Sequence, residues 1–228
     1  MKKTTLKTRG RHLLFLAYGT ILLTGCVANY IPNVVNTPLL SGKGEVQIAA
    51  YTGFSGFDPQ AAVAVTDHIG IMANGSFEDW KSSINDDFHK HQFVEIGSGY
   101  YTKFGGIGRF EAYGGYGHGI LKARMDNDFW VSQADLQTNR FFIQPSVGLA
   151  TAVVDASFAN RIAIINLKQD SKSTTAVFYE PVATIKFGFT YFKFVTQAGF
   201  SLPANDHQMK FTYRPFIFSF GIQAFIGR

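Results

Sequence analysis

From Gly44 to the C-terminus, apolar and polar residues alternate with a period of two, and no other feature restricts the fold as strongly. Glu45 and Gln47 alternate with Val46 and Ile48, for example. Because successive side chains of a β-strand point to opposite faces, this period predicts strands with one apolar face each. The chain contains 23 Phe, 10 Tyr and 23 Gly, and 16% of its residues are charged. This composition favours strands and tight turns over helices.

Turn signals divide the alternating region into segments. We predict an all-β domain with a single antiparallel up-and-down β-barrel of about ten strands; eight strands are the alternative. The predicted strands are residues 45–52, 60–66, 69–79, 93–102, 109–122, 139–152, 156–167, 178–189, 191–201 and 209–225. Short turns alternate with longer polar loops, such as 81–91, 123–138 and 168–175. An even strand number therefore predicts turns at one end and loops at the other, as in outer-membrane barrels.

The polarity of the two strand faces bears on where the barrel resides. Ile143 and Val147 share one face of a predicted strand, and Gln144 and Ser146 share the other. An apolar face opposite a polar one predicts lipid outside and a polar lumen. A lipid-anchored soluble barrel that binds a small apolar ligand would alternate in the same way, with its apolar face inside. That alternative stays open at this point.

The N-terminus has the layout of a secretory signal peptide. Five basic residues precede an apolar run from Leu13 to Leu23, which is too short for the roughly 20 residues that span a bilayer. The sequence Leu23-Thr24-Gly25-Cys26 resembles the bacterial lipobox, in which the peptidase cuts before an acylated cysteine. The resemblance implies a lipoprotein signal peptide over 1–25 and an acyl-chain anchor, such as palmitate, on Cys26. An ordinary signal peptide followed by a chance cysteine is the alternative.

Charge gives no indication of a nucleic-acid partner. The sequence has 21 Lys and Arg against 16 Asp and Glu. Five basic residues and no acidic ones precede Cys26, so the predicted mature chain has 21 − 5 = 16 basic and 16 acidic residues. This balance predicts no nucleic-acid binding. The predicted partner is membrane lipid, contacted by the acylated Cys26 and the barrel exterior, and no cofactor is predicted.

Between Cys26 and the barrel, residues 26–43 show neither helical nor strand periodicity, which predicts an irregular lipidated tether before a barrel domain over 44–228. Tyr30-Ile31-Pro32-Asn33, followed by Asn36, Pro38-Leu39-Leu40 and Lys43-Gly44-Glu45, resembles the N-terminal segment of barrel-type lipoproteins of Bacteroidota. The resemblance covers the first fifth of the mature chain. It implies a lipoprotein of the Gram-negative outer membrane with a structural or surface-interaction role and no identifiable catalysis.

Four loop residues are weak candidates for catalysis: Asp86, Asp87, Asp206 and His207. Ten strands with paired Asp-Asp and Asp-His residues resemble the omptin proteases of the outer membrane, where such pairs activate a water molecule. The resemblance implies a surface-acting hydrolase of peptides or lipids. The chain is shorter than omptins, however, and Asp206 and His207 are adjacent where the omptin pair is separated by one residue. Solvated loop residues are the competing interpretation, and no catalytic residue is assigned.

Two histidines are weak candidates for metal binding. His89 and His91 are two positions apart, so a strand places both on one face. Two imidazoles can ligate a metal ion, but the spacing fixes no third ligand. No metal site is therefore assigned from the sequence.

A repeated dipeptide predicts a polar layer in the lumen. Gln144, Glu180 and Arg214 each precede a proline near the start of a strand that runs from the loops to the turns, and Glu95 holds the corresponding place one strand pair earlier. Equal depth would bring these four side chains into one inward-facing layer. Glu180 and Arg214 are then predicted to pair and, with Glu95, to close the lumen. Chance placement with a bulge at each proline is the alternative.

Overall fold

The structure is a computed structural model that describes residues 28–127, 130–205 and 212–227. These residues form eleven strands in one antiparallel sheet and no helix. The strands are β1 (Val46–Gly53), β2 (Gly56–Ala64), β3 (Ile69–Lys81), β4 (Phe88–Phe104), β5 (Gly108–Asn127), β6 (Trp130–Ala150), β7 (Val154–Gln169), β8 (Lys172–Gly188), β9 (Phe192–Phe200), β10 (Leu202–Pro203) and β11 (Phe216–Ile226). In this described part of the chain, no helix is long and apolar enough to cross a membrane.

Ten of these strands close into a barrel. Strands β1 to β9 pair in chain order, β9 pairs with β11, and β11 pairs with β1. The two residues of β10 follow β9 and pair with β8. Closure leaves the ten strands without a free edge. The all-β, up-and-down barrel of about ten strands that the alternation predicts is confirmed.

The two ends of the barrel differ. Short connections at 65–68, 105–107, 151–153 and 189–191 lie at the end where β1 starts and β11 finishes, which we call the turn end. One of these turns contains Gly105 and Gly106, whose φ angles of 54° and 78° suit glycine. At the opposite end, which we call the extended end, the five strands from β4 to β8 continue to lengths of 16 to 21 residues.

Two predicted loops at the extended end are in fact strand pairs. The predicted loop 123–138 is β-structure up to Asn127 and again from Trp130, and most of the loop 168–175 belongs to β7 and β8. The β7–β8 extension carries polar residues on both faces, whereas the β5–β6 extension is polar outside and apolar inside, where Leu121, Ala123, Ala134 and Leu136 are buried. Cross-strand pairs on the outer face also stabilise them, such as Lys122 Nζ and Asp135 Oδ2 at 3.1 Å.

The last strand is shorter than predicted. It begins at Phe216, directly after Pro215. The predicted start at 209 belongs to residues 206–211, which lie outside the described part of the chain. Phe216, Phe218 and Phe220 face outward and Ser219 faces the lumen.

Large apolar side chains cover the outside of the barrel. Ile143 is 63% exposed, Phe194 62% and Phe187 61%. Other outward apolar residues are Ile48, Ile71, Val94, Ile96, Phe110, Phe141, Val147, Leu149, Phe158, Ile162, Ile164, Ile185, Phe218, Phe220 and Ile222. These residues form a surface that we call the apolar belt. On β3 and β4 the belt stops before Asp79 and Lys90, an exposed ion pair on the same outer face.

The inward face of the same strands carries many polar side chains beside buried apolar ones. Residues that are almost fully buried there include Gln47, Asp58, Gln60, Asn74, Glu95, Glu111, Arg140, Gln144, Arg161, Glu180, Lys186, Lys193, Gln197 and Gln223. Such groups are buried only when partners satisfy their charges and hydrogen bonds. The partners come in part from the residues before β1.

Residues 30–40 pass through the lumen, and we call them the lumen segment. Ten of the eleven residues are buried, Ile31 being intermediate. The segment begins at the extended end, where Tyr30 bridges to Tyr213, and the chain reaches the turn end at Gly44, whose N–H donates to Ala64 O. It is irregular, as expected of the predicted tether, but its place inside the barrel was not predicted.

Small inward residues make room for the lumen segment. A Cβ atom on Gly70 would lie 2.9 Å from Leu40 Cδ1, and one on Gly148 would lie 2.8 Å from Leu39 Cδ2. Such distances are too short for carbon atoms in contact. Glycine on the barrel wall is therefore matched to leucine in the lumen segment.

Candidate functional site

Four charged side chains form the centre of the lumen, and we call them the central network. Arg161 Nε donates to Glu180 Oε2 at 2.6 Å, and Arg140 Nη2 donates to Glu95 Oε2. Arg161 Nη1 also lies 4.0 Å from Glu95 Oε1. Each of these side chains is at most 1% exposed. Two arginines and two glutamates make the network electrically neutral, which limits the cost of burying four charges.

The lumen segment completes the central network. Asn33 Oδ1 accepts hydrogen bonds from Arg140 Nη2 at 2.7 Å and Arg161 Nη1 at 2.8 Å. Asn33 Nδ2 donates to Glu95 Oε1 at 3.2 Å. The Tyr30 hydroxyl donates to Glu180 Oε1 at 2.7 Å. Without the segment these charged groups would lose buried partners, so wall and segment stabilise each other.

Inward side chains also satisfy the backbone of the lumen segment. Gln197 accepts from Val35 N–H and donates to Val35 O, both at 2.8 Å. Three other wall side chains donate to segment carbonyls, and Glu111 accepts from Leu40 N–H at 3.0 Å. The three donors are Gln60 to Val34 O, Gln144 to Asn36 O and Lys186 to Thr37 O. An irregular buried backbone needs partners of this kind because it has no strand ladder.

The predicted polar layer is present in part. Glu95, Gln144 and Glu180 are buried in the lumen, and Glu95 and Glu180 belong to the central network. Arg214 does not join them. It precedes β11 and lies at the mouth of the extended end, where Nη1 is 3.9 Å from Glu78 Oε2.

The predicted pairing of Glu180 with Arg214 is therefore wrong, since Arg161 takes that place. The proline repeat does not guarantee equal depth, because Pro215 lies before its strand whereas Pro181 lies inside β8. The residues that sequence reasoning missed are Arg140 and Arg161. The sequence feature that could have identified them is a basic residue at a position that alternation assigns to the inward face of a strand.

The catalytic candidates do not form a site among the residues that the structure describes. Asp87 Oδ2 accepts from Asn85 Nδ2 at 2.9 Å, and Asp87 Oδ1 accepts from Asp126 N–H at 2.6 Å. These bonds hold the connection at 82–87 against β5. Asp86 is exposed in the same connection. Asp206 and His207 lie outside the described residues, as do Cys26 and the predicted signal peptide over 1–25.

The metal-binding candidates lie together at the mouth of the extended end. His89 and His91 point inward from β4, and Glu78 joins them from β3; we call these residues the mouth triad. His89 Nε2 lies 3.0 Å from His91 Nδ1. Glu78 Oε2 lies 3.6 Å from His89 Nε2 and 3.7 Å from His91 Nδ1. The triad is above the apolar belt, at the level of the Asp79 and Lys90 ion pair.

Burial sets the ionisation of the mouth triad. It lowers the pKa of His89 and His91 to about 4 each, with a smaller contribution from the positive charge of Arg214. Both imidazoles are therefore neutral at pH 7 and keep a lone pair. Burial also raises the pKa of the Glu78 carboxyl, and the positive charge of Arg214 partly offsets this rise.

Neither protein-family models nor curated protein sequences show a match to this chain. The functional argument therefore depends on the residues and geometry of the chain itself.

Proposed function

We propose that this chain is an outer-membrane β-barrel lipoprotein with a structural or surface-interaction role. The observation that carries the proposal is the polarity of the barrel, whose outer face is apolar and whose lumen is charged. Water-soluble barrels have the opposite arrangement. In a bilayer, the outward phenylalanines and isoleucines contact hydrocarbon and the charged groups remain inside.

The filled lumen favours this role over transport. The central network and the lumen segment together occupy the interior, and their groups are buried. Barrels that conduct solutes have about 16–18 strands, whereas about eight strands leave room only for side chains. A ten-strand barrel with a chain segment inside is therefore a closed body. Its extended end offers the surface for interaction, through the polar strand pairs of β5 to β8.

The lumen segment also restricts the position of the proposed lipid anchor. Cys26 precedes Tyr30 by four residues, which span at most about 14 Å when fully extended. Tyr30 lies at the extended end, so the acylated Cys26 belongs to that rim. In outer-membrane barrels the short turns face the periplasm. The proposal thus assigns anchor and extended end to the cell surface.

Detergent dependence tests the membrane assignment. Mature protein should leave the membrane fraction only with detergent and should aggregate when the detergent is removed, because the apolar belt would then meet water. Protein that stays soluble and monodisperse without detergent would contradict the proposal.

Lipid labelling tests the anchor separately. Acylation requires the thiol of Cys26, so Cys26→Ser should abolish incorporation of labelled palmitate. Incorporation at the wild-type level would show that Cys26 is not the modified residue.

Labelling of intact cells tests the orientation. A membrane-impermeant maleimide should label Lys122→Cys on the extended end and leave Lys103→Cys on the turn end unlabelled. Both positions are exposed, so they form a matched pair. Lys103→Cys should react only after the outer membrane is permeabilised, and the reverse pattern would place the turn end outside.

A further inference from the structure

The mouth triad brings three metal-ligand atoms together from two neighbouring strands. Glu78 is directly opposite His91 in the β3–β4 register, and Trp80 is opposite His89. Because side chains alternate, Glu78, His89 and His91 all point into the mouth. The three atoms, Glu78 Oε2, His89 Nε2 and His91 Nδ1, are 3.0 to 3.7 Å apart.

These separations match the ligand shell of a small divalent ion. Zinc binds imidazole nitrogen at about 2.0–2.1 Å and carboxylate oxygen at about 2.0–2.2 Å in a tetrahedron, which places ligand atoms roughly 3.3–3.5 Å apart. The observed distances lie on both sides of that value. Side-chain movements of a few tenths of an ångström would bring the three ligand atoms to the ideal distance from one another.

A neighbouring hydroxyl orients one of the imidazoles. Ser76 Oγ donates to Ser55 O at 3.1 Å, and a carbonyl oxygen can only accept. Ser76 Oγ must then accept from His91 Nε2–H, which lies 3.1 Å away. His91 therefore carries its proton on Nε2 and its lone pair on Nδ1, the atom that points at the triad. This is the outer-shell arrangement of a histidine ligand.

Hydrogen bonding within the triad leaves one group unsatisfied. The contact between His89 Nε2 and His91 Nδ1 is a hydrogen bond between two neutral imidazoles when no ion is bound. Glu78 Oε2 is buried and accepts no hydrogen bond from the residues that the structure describes. Among the described residues, its nearest cation is Arg214, at 3.9 Å. A buried carboxylate oxygen without a donor is costly, and a metal ion would remove that cost.

We propose that Glu78, His89 and His91 bind a divalent transition-metal ion of the zinc type at the mouth of the barrel. Two imidazoles and one carboxylate form the ligand set, with His89 shifting its proton to Nδ1 to free Nε2. The side chains are 24%, 12% and 6% exposed in that order, so the site is open to solution. A fourth position is left for water or for a donor from a partner molecule, as in three-ligand zinc sites.

The direct test is calorimetric titration of tag-free mature protein in detergent micelles with Zn²⁺ after chelator treatment. Co²⁺, whose visible absorption reports coordination geometry, serves as a second probe. Wild-type protein should bind one ion. Glu78→Gln and His91→Gln should each lose binding at the same concentrations. The control is His118→Gln, which removes a histidine from the outer surface. Absence of binding by the wild type, or unchanged binding by both triad variants, would overturn the proposal.

Folding of the variants is checked independently by the difference in gel mobility between heated and unheated samples, which folded barrels retain. Two further substitutions distinguish a built site from a chance pair of histidines. Ser76→Ala removes the group that orients His91 and should weaken binding by about 10- to 100-fold. Arg214→Gln removes the cation that competes for Glu78 and should tighten binding. Binding that is unchanged in both Ser76→Ala and Arg214→Gln would mean that the ion does not occupy the site built by these residues, and that result would also overturn the proposal.

Discussion

The outer and inner faces of the same strands need different surroundings to be stable. On β6, Phe141 and Ile143 are exposed on the outside, whereas Arg140 and Gln144 are buried inside. In the proposed bilayer, the outer face needs no partner within the chain, because hydrocarbon would surround its apolar side chains. The inner face needs a partner for every polar atom, and the lumen segment supplies many of them. Outward positions are therefore interchangeable among apolar residues, while inward positions are specified one by one.

The largest effect should come from breaking the central network. Arg161→Met leaves the Glu180 carboxylate buried without its cation, and loss of one partner of such a pair costs about 3–5 kcal/mol. Denaturant unfolding in micelles measures the change. A double-mutant cycle with Glu180→Gln should show strong coupling.

The matched comparison is the cycle between Glu180→Gln and Arg214→Gln. Arg214 lies at the mouth with a side chain that is 37% exposed, so its coupling to Glu180 should be close to zero. Equal coupling energies for the two arginines would contradict the assignment of Arg161 as the partner of Glu180.

A charge on the outer face should have the next largest effect. Ile143→Arg and Ile185→Arg place a guanidinium in the apolar belt, which costs about 2–4 kcal/mol near the bilayer midplane. Gln137→Arg is the control, because Gln137 is exposed on the same face of β6 beyond the belt, where the cost falls to about 0–1 kcal/mol. Unfolding in lipid bilayers compares the three, and equal stability would show that the belt does not meet lipid.

A smaller effect is expected where the lumen segment meets the central network. Tyr30→Phe removes the hydroxyl that donates to Glu180 Oε1, and hydrogen bonds to charged groups contribute about 1.5–3 kcal/mol. Tyr191→Phe, on an exposed turn, should leave the free energy of unfolding nearly unchanged. If Tyr30→Phe were equally silent, the segment would not stabilise the network.

The barrel itself was predictable, because alternation over ten segments has no other simple explanation. The extensions of β5 and β6 were missed because charged residues on the outer face, such as Lys122 and Asp135, suggested a loop, although the inner face is apolar. The lumen segment was missed for another reason. Residues such as Asn33 and Leu39 have no periodicity, and only the positions of the partners Arg140, Arg161 and Gly148 show where they lie. Similarly, the spacing of His89 and His91 could not reveal Glu78, which comes from the neighbouring strand.

The central claim is that the outer face of the barrel meets lipid, and fluorescence quenching tests it directly. Phe141→Trp and Phe187→Trp each place a single reporter on the apolar belt once Trp80 and Trp130 are replaced by Phe. Ile84→Trp, at a position that is 95% exposed at the extended end, is the aqueous control. In bilayers, lipids with brominated chains should quench the two belt reporters and iodide should quench only the control. Quenching of the belt reporters by iodide to the level of the control, without quenching by brominated lipid, would contradict the account.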